Sequence, residues 1–315
     1  MAGAGLVQAL KRPSQSAREK PLDSYILTYS ALNGVLIGAM YGGIALGLSL
    51  IFGVLRIVNF AHGSFLMLSM YIAFWLHHWL GWDPYASALV AVPVMFGLGY
   101  AVQATIIAPL IRRERALVVE PISALLLTAG VYIVVDNLAL MAFGANVRSV
   151  PSHIEQTTLS LGDYPLNTFR VVGCVASIAI AAGLSLWLAR TDMGRAIRAT
   201  AQNRDGAAMS GINVGQVYNT TFGLGCAIVG AMGCLLAPFI PLTPSVGLSF
   251  GIKSFIVVVL GGIGSIAGSL VGGLVIGVFE SIAAQFVTTP TASIFSLALL
   301  IVILLVRPQG LMGKR

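Results

Sequence analysis

Long apolar runs separated by short basic segments are the main pattern of the chain. Several long stretches contain no Asp, Glu, Lys or Arg, and each of the following six is about as long as the roughly 20 residues that a helix needs to cross a bilayer, or longer. They span residues 24–55, 57–82, 84–111, 171–189, 206–252 and 254–279. The pattern predicts helices at Tyr25–Phe52, Leu66–Leu80, Tyr85–Ile107, Ile122–Phe143, Phe169–Ala189, Tyr218–Pro241, Phe250–Glu280 and Ser293–Val306. We therefore expect an all-α polytopic membrane protein with about eight or nine spans.

One polar interruption falls inside this pattern, at Gly53–Ser64. Arg56, Asn59 and His62 break an otherwise apolar run. Irregular backbone at membrane depth survives only where protein or a water-filled cavity surrounds it. The segment is therefore either a broken helix with a re-entrant turn, or a plain short loop between two spans.

The basic residues set the topology and leave one conflict. Arg190–Val214 carries four arginines between two apolar runs, so it lies in the cytoplasm by the positive-inside rule. The same rule favours the cytoplasm for the basic tail 1–23 and for Arg112–Arg115. Three apolar elements separate these two clusters, and three crossings cannot leave both inside. Either one early element is re-entrant, or the tail lies outside against its charge.

The composition agrees with a membrane protein. Of 315 residues, 57% are hydrophobic and 9% are charged, whereas a soluble domain carries about a quarter charged residues. The net charge of +7 comes mostly from short loops and tails, where topology and anionic lipid explain it, so we expect no nucleic-acid partner. We expect a mobile basic tail at 1–23, a membrane domain at 24–310 with the polar connection Gly144–Thr168 outside, and a C-terminal tail at 311–315.

The cytoplasmic segment Arg190–Val214 has a helical pattern of its own. Its apolar and small residues recur three and four apart, which is the spacing of one helix face. They are Met193, Ala196, Ile197 and Thr200. Asn203 and Asp205 then predict a helix stop and a new N-cap for a second turn at Gly206–Ser210. Two small helices with a modest apolar face suit docking to another protein; the alternative is an ordinary basic loop.

No segment carries a nucleotide-hydrolysing motif or a metal-ligand pattern. The P-loop pattern GxxxxGK[ST] is absent, so energy from ATP has to enter through a partner. The three cysteines and four histidines form no ligand set, and no nucleophile and base lie at usable spacing. We therefore expect no cofactor, no metal and no enzyme.

Two carboxylates lie within apolar spans, Asp136 and Glu280. Such residues usually face a polar interior or carry function. Asp136 is either hydrogen-bonded to a neighbouring helix, for example through Asn137, or an ion site. Glu280 is either at a helix end near headgroups or an ion site. Lys253 is expected at the start of its helix, with its ammonium reaching the membrane interface.

Two glycine- and serine-rich stretches are candidates for a translocation path. Their backbone carbonyl and amide groups can offer fixed partners to a small zwitterion that has lost its water. The candidate path residues are Asn59, His62, Gly63, Gly262, Gly264, Ser265 and Gly268. In addition, five glycines from Gly34 to Gly47 recur with identical spacing from Gly264 to Gly277. That recurrence is either an internal repeat, of the kind that builds transport paths, or chance.

Three stretches together resemble one family, the branched-chain amino acid ABC transporter permeases. They are NGVLIGAMYGGIALGLSLIFGVLRIVNFAHGSF from Asn33, TDMGRAIRATAQNRDGAAMSGINV from Thr191, and VVVLGGIGSIAGSLVGGLVIGVFES from Val257. The resemblance extends over nearly all of Ser30–Gly310. It implies an ABC importer permease fold in the bacterial inner membrane, working by alternating access that separate ATPase subunits drive.

The resemblance also implies partners and a coupling loop. The expected partners are a second homologous permease, two ATP-binding subunits and a periplasmic substrate-binding protein, besides membrane lipid. The family's coupling loop falls at Gly194, Arg195, Ala196, Ala199, Ala207 and Gly211. Ile197 is expected to transmit force there by packing.

Two alternatives to this function stay open. Related permeases of this fold carry urea or short amides as well as leucine, isoleucine and valine. A self-sufficient secondary transporter or channel that uses Asp136 or Glu280 is the second alternative.

Overall fold

The computed structural model describes residues 19–110, 122–152, 158–162 and 164–313, which contain eleven helices. The helices are α1 (Glu19–Leu55), α2 (His62–Leu80), α3 (Ala88–Val102, continued by a π-helical turn at Gln103–Ile107), α4 (Ile122–Phe143), α5 (Thr168–Arg190), α6 (Asp192–Gln202), α7 (Arg204–Met209), α8 (Val214–Leu236), α9 (Val246–Gly261), α10 (Ile266–Ala283) and α11 (Thr289–Val306). The basic cluster Arg112–Arg115 and residues 1–18 of the predicted tail lie outside the described residues. Helix α1 begins at Glu19, within the predicted tail, and its candidate membrane span begins at Ser24; the boundary at residue 23 stays a prediction.

Six of these helices are long and apolar enough to cross a membrane. They are α1, α3 with its continuation, α4, α5, α8 and α10. Two shorter apolar helices, α9 and α11, and the 19-residue α2 accompany them. The predicted all-α polytopic fold is confirmed. The connection after α4 adds a feature that the pattern did not predict, a hairpin in which β1 (Thr158–Leu161) pairs antiparallel with β2 (Tyr164–Asn167).

The glycines of α1 let a second helix approach to backbone contact. Helix α1 packs against α5, α8, α9 and, most extensively, α10. A Cβ atom at Gly38 would lie 2.6 Å from the carbonyl oxygen of Gly273, and one at Gly34 would lie 2.6 Å from the Cα atom of Val278. Much of the two glycine series therefore meets across one antiparallel helix contact, as small residues allow in membranes. A repeat origin for the two series stays a prediction.

The segment predicted at Phe250–Glu280 consists of two helices, not one. Gly262 and Gly264 adopt φ values of +105° and +78°, which side chains with a Cβ rarely adopt, and so they end α9. The Ser265 hydroxyl then caps α10 by accepting a hydrogen bond from the Gly268 N–H, at 3.0 Å. The described residues 311–313 pack onto this turn, with the Leu311 N–H donating to the Leu260 carbonyl oxygen at 2.8 Å.

The two ends of the bundle differ in charge. Helix α6, the end of α1, the α9–α10 turn and residues 312–313 meet at one end, which the positive-inside rule places in the cytoplasm. At the other end the Tyr25 ring, near the start of α1, stacks on Tyr164 of β2 with 4.8 Å between the ring centroids. By the same rule, α1 begins at the outer end of the bundle. Most of the two basic clusters of the topology conflict lies outside the described residues, so the side of the N-terminal tail stays a prediction.

The chain re-enters the bundle after α1. The N–H at His62 Nε2 donates to the carbonyl oxygen of Ile44 at 2.9 Å, and the same ring contacts Gly47. Gly47 precedes the last residue of α1, Leu55, by eight residues (55 − 47), or about 12 Å of helix. Asn59 and His62 are both buried. The interruption is thus a break within the bundle and not a surface loop, and α2 starts inside the protein.

Candidate coupling and translocation site

Helix α6 is held against the bundle by its own apolar face. Its N-cap is Thr191, whose hydroxyl accepts from the Gly194 N–H at 3.0 Å. Ile197 is 2% exposed, and Thr200 and Gly194 are also buried. Gly194 lies directly on the backbone of Leu188 at the end of α5. The apolar face of α6, which the sequence suggested for docking to another protein, therefore packs inward against the membrane helices of the same chain.

A single residue, Asn203, separates the end of α6 from the start of α7. Asn203 serves both as the stop of α6 and as the N-cap of α7, with its Oδ1 accepting from the Gly206 N–H at 2.9 Å. The expectation of a new cap at Asp205 is wrong, because Asp205 lies within the first turn of the helix. The Asn203 side chain already provides the N-cap acceptor for α7, so a second capping residue has no place there.

The outward surface of α6 and α7 is polar apart from one large side chain. Met209, the last residue of α7, is 84% exposed. The seven coupling residues predicted from the sequence divide by exposure. Buried are Gly194, Ile197 and Ala207; partly buried are Ala196 and Ala199; exposed are Arg195 and Gly211. Sequence reasoning missed Met209, which falls outside the helical face from which the site was predicted.

A cavity of about 720 Å³ lies between α6, the inner end of α1 and the α9–α10 turn. Two of the predicted path residues, Gly264 and Ser265, line it together with the arginines Arg56 and Arg198. The other two predicted path residues near the α9–α10 turn, Gly262 and Gly268, do not line the cavity. Gly262 packs against Gly313, and Gly268 packs against the backbone of Gly261.

The remaining path residues form a separate cluster where α2 begins. Asn59 Oδ1 accepts from the Ala61 N–H at 3.1 Å, while Asn59 Nδ2 and His62 Nδ1 are buried with no hydrogen-bond partner among the described residues. Gly63 lies so close to Gly247 at the start of α9 that a Cβ would clash with its carbonyl oxygen. The structure brings these three residues together, but they do not line the cavity that holds Gly264 and Ser265.

Two side chains of α4 make hydrogen bonds to the irregular backbone before α2 and to the first turn of α2. The Thr128 hydroxyl accepts from the Phe60 N–H at 3.3 Å and lies 3.1 Å from the carbonyl oxygen of Val58. The Ser64 hydroxyl, in the first turn of α2, donates to Asp136 Oδ1 at 2.6 Å. Asp136 itself, not Asn137, therefore makes the hydrogen bond between helices. The role of Thr128 gave no signal in the sequence, because its partners are some 70 residues away.

Glu280 and Lys253 form an ion pair that the sequence did not reveal. Lys253 lies in the middle of α9 and not at its start, so the snorkelling expected of it is wrong. Its Nζ lies 2.8 Å from Glu280 Oε1 and 2.9 Å from the Tyr41 hydroxyl. The Ser293 hydroxyl donates to the same Oε1 atom. Four helices, α1, α9, α10 and α11, are joined at this point.

The sequence comparisons identify the family to which this architecture belongs. Residues 30–304 match the sequence model of a family described as "Branched-chain amino acid transport system / permease component". The chain belongs to this permease family. The permease is 31% identical over 300 residues to "High-affinity branched-chain amino acid transport system permease protein LivH" of Escherichia coli (strain K12), covering 90% of this chain and 94% of that protein. It is 29% identical over 296 residues to the corresponding permease protein BraD of Pseudomonas aeruginosa, with the same coverage of both chains.

A shorter match extends to a permease named for a sugar. "Fructose import permease protein FrcC" of Rhizobium meliloti is 31% identical over 146 residues, which cover 44% of this chain and 40% of that protein. No solved structure matches the permease significantly. Together with the six apolar helices, these relatives make the chain a multi-pass transport permease of the bacterial inner membrane.

Proposed function

We propose that this permease is the membrane subunit of an ATP-driven importer, with α6 and α7 as the contact through which separate ATP-binding subunits move its helices. The observation that carries this proposal is the two-sided packing of that pair. The inner side is fixed by Ile197 and Gly194 to the ends of the membrane helices, and the outer side presents arginines and the exposed Met209. A push on the outer side is therefore transmitted to α1, α5 and α8, which α6 contacts.

The same proposal assigns partners and mechanism. Two ATP-binding subunits would dock at the cytoplasmic end, a second homologous permease would complete the path within the membrane lipid, and a periplasmic binding protein would deliver the substrate at the hairpin end. Closure of the ATP-binding pair would then reorient the helices around the path, which is alternating access. The permease has no nucleotide motif, so ATP hydrolysis has to be coupled from outside the chain.

Met209 is the residue that tests the docking surface. Burying a methionine side chain at a contact is worth about 1.5–3 kcal/mol, so Met209→Ala should weaken binding of the ATP-binding subunits by roughly tenfold or more. Substrate-stimulated ATP hydrolysis by the reconstituted complex should fall in parallel. Met141→Ala is the matched control, because Met141 is 83% exposed but lies on α4, and it should change neither quantity.

Ile197, on the inner side of α6, tests the other half of the proposal, namely that this side is held by the permease itself. Ile197→Asp puts a charge at a site that is 2% exposed, so the variant should lose stability in the isolated permease, before any partner binds. Normal stability with lost coupling in this variant, or full coupling in Met209→Asp, would show that the docking surface has been placed on the wrong side of α6 and α7.

The substrate that we propose is a branched-chain amino acid, because LivH and BraD are named for branched-chain amino acid transport and align over nearly their whole length. Urea, short amides and fructose are the competing substrates. Uptake of labelled leucine, isoleucine and valine by the assembled complex should exceed uptake of urea and fructose. Preferential uptake of urea or fructose would reassign the substrate without changing the coupling proposal.

The secondary-transporter alternative receives no support from Glu280. Both of its carboxylate oxygens lie within hydrogen-bond distance of Lys253, and one also accepts from Ser293. A proton or ion carrier needs a carboxylate that is free to exchange its partner. Accumulation of leucine by the isolated permease in vesicles, using only a proton or sodium gradient, would restore that alternative.

A further inference from the structure

Arg56 is the most unusual residue of the cytoplasmic cavity. It follows α1 directly and adopts φ = +57°, and it is the one non-glycine residue with positive φ in the described part of the chain. Positive φ costs free energy for a residue with a Cβ atom, and residues in such strained conformations are frequent at functional sites. Its guanidinium has no hydrogen-bond or ion-pair partner among the described residues, although it lines the cavity.

A second cationic side chain lies near Arg56. Arg198 of α6 lines the same cavity and donates to the carbonyl oxygen of Leu188, which holds it at the wall. The positive end of the α10 dipole and the negative ends of the α1 and α5 dipoles all lie at this cavity, so the arginines and not the helix dipoles set the sign of the site. No Asp or Glu is among the described residues that line this cavity. An anionic group is therefore the chemistry that this site is built to hold.

Most of the other lining side chains are apolar, and Ser49 and Ser265 are polar exceptions. The lining side chains include Leu50, Val54, Leu188, Ile197 and Ile266. A cavity of about 720 Å³ has more than enough room for a small amphiphilic acid. Guanidinium groups and branched aliphatic side chains within one cavity match a carboxylate attached to a short apolar chain.

We propose that this cavity is a cytoplasmic binding site for the carboxylate of a small aliphatic amino acid, with Arg56 as the principal donor. The identity of the amino acid as leucine, isoleucine or valine rests on the proposed function; the recognition of an apolar carboxylate does not. Because Ile197 and Arg198 belong to α6, the occupied site joins α6 to the end of α1 through the bound molecule.

Protection of a cysteine in the cavity wall tests the site directly. Ala201, a partly buried lining residue, is replaced by cysteine in the assembled complex, in inside-out membrane vesicles. Modification by a membrane-impermeant maleimide is followed with L-leucine, isocaproate, leucinol or no addition. L-leucine and isocaproate, which both carry a carboxylate, should slow the reaction at least threefold. Leucinol, which lacks the carboxylate, should leave the rate unchanged.

Two variants complete the design. Arg56→Gln should raise the concentration of isocaproate that gives half-protection by tenfold or more, and Arg56→Lys should raise it less, because one cation is retained. Gln309→Cys is the control: this residue is exposed at the same end of the bundle but does not line the cavity, so ligands should not protect it. The chain without an added cysteine gives the background from its three native cysteines.

The site is refuted by equal protection from leucinol, by undiminished protection in Arg56→Gln, by no protection from isocaproate, or by an Ala201→Cys thiol that does not react in ligand-free vesicles. These outcomes leave the proposed function intact if the complex still transports leucine. Conversely, Arg56-dependent protection by isocaproate in a complex that does not transport leucine would overturn the proposed substrate and leave the carboxylate site standing.

Discussion

The ion pair between Lys253 and Glu280 allows the energetics of a charge inside this bundle to be worked out. Lys253 Nζ lies 2.8 Å and 3.1 Å from the two carboxylate oxygens of Glu280, and the side chains keep 24% and 9% of their exposure. At about 3 Å and an effective dielectric constant of about 20, two unit charges attract by about 5–6 kcal/mol. Desolvation of both groups offsets much of that attraction, so the intact pair contributes little net stability.

Removing one partner has a different cost, because the remaining charge loses its compensation. We expect Lys253→Met and Glu280→Gln each to lower the free energy of unfolding by about 3 kcal/mol, near the low end for buried pairs, since Lys253 is partly exposed. The double variant leaves no charge behind. It should therefore be more stable than either single variant and lie within about 1 kcal/mol of the native permease.

Unfolding of the purified permease by SDS in mixed micelles, followed by circular dichroism, measures these differences. Tyr41→Phe removes only the hydroxyl that Lys253 also contacts, so it should cost about 1 kcal/mol and calibrates the loss of a single hydrogen bond. Losses that add up in the double variant, to about 6 kcal/mol, would refute the reasoning, because two interacting charges cannot give additive effects.

Two further predictions concern the break before α2, each with a matched control. Gly63→Ala should destabilise the permease by about 2 kcal/mol or more and reduce leucine uptake by the complex, because its Cβ would clash with the carbonyl oxygen of Gly247. Gly97→Ala on α3, where the added Cβ would meet no atom within 4 Å apart from the adjoining backbone of its own helix, should be neutral in the same SDS titration. Thr128→Val should cost about 1 kcal/mol by removing the partner of the part-buried backbone groups of Phe60 and Val58. Thr105→Val, which loses only a bond to its own helix, should cost less than 0.5 kcal/mol or so; equal losses in the two threonine variants would contradict the role of Thr128.

Much of the helical architecture could be predicted because the bilayer leaves the chain few choices. In hydrocarbon every backbone group needs an internal partner, so an apolar run of about 20 residues becomes a helix whatever surrounds it. Helix α4 was accordingly predicted at Ile122–Phe143, the bounds that the structure gives. The hairpin at 158–167 escaped prediction, because it lies in a polar connection where that constraint is absent.

The candidate site was predicted in part. The spacing of Met193, Ala196 and Ile197 correctly indicated a helix with an apolar face, but periodicity does not tell which surface covers that face. The structure shows that the permease covers it with its own helices. The exposed Met209 and the unpartnered Arg56 became candidates only when the burial of every neighbour was known.

By itself the sequence determined the class of protein and the position of most helices, and it predicts that α6 and α7 lie in the cytoplasm. These features depend on local hydrophobicity and charge, which act on each segment separately. Tertiary structure alone decided which polar groups meet: Lys253 with Glu280, Ser64 with Asp136, and Arg56 with no partner within the described ranges of the chain. The partners of each pair lie on different helices and far apart along the chain, so their pairing follows from how the helices pack and not from any pattern within one segment.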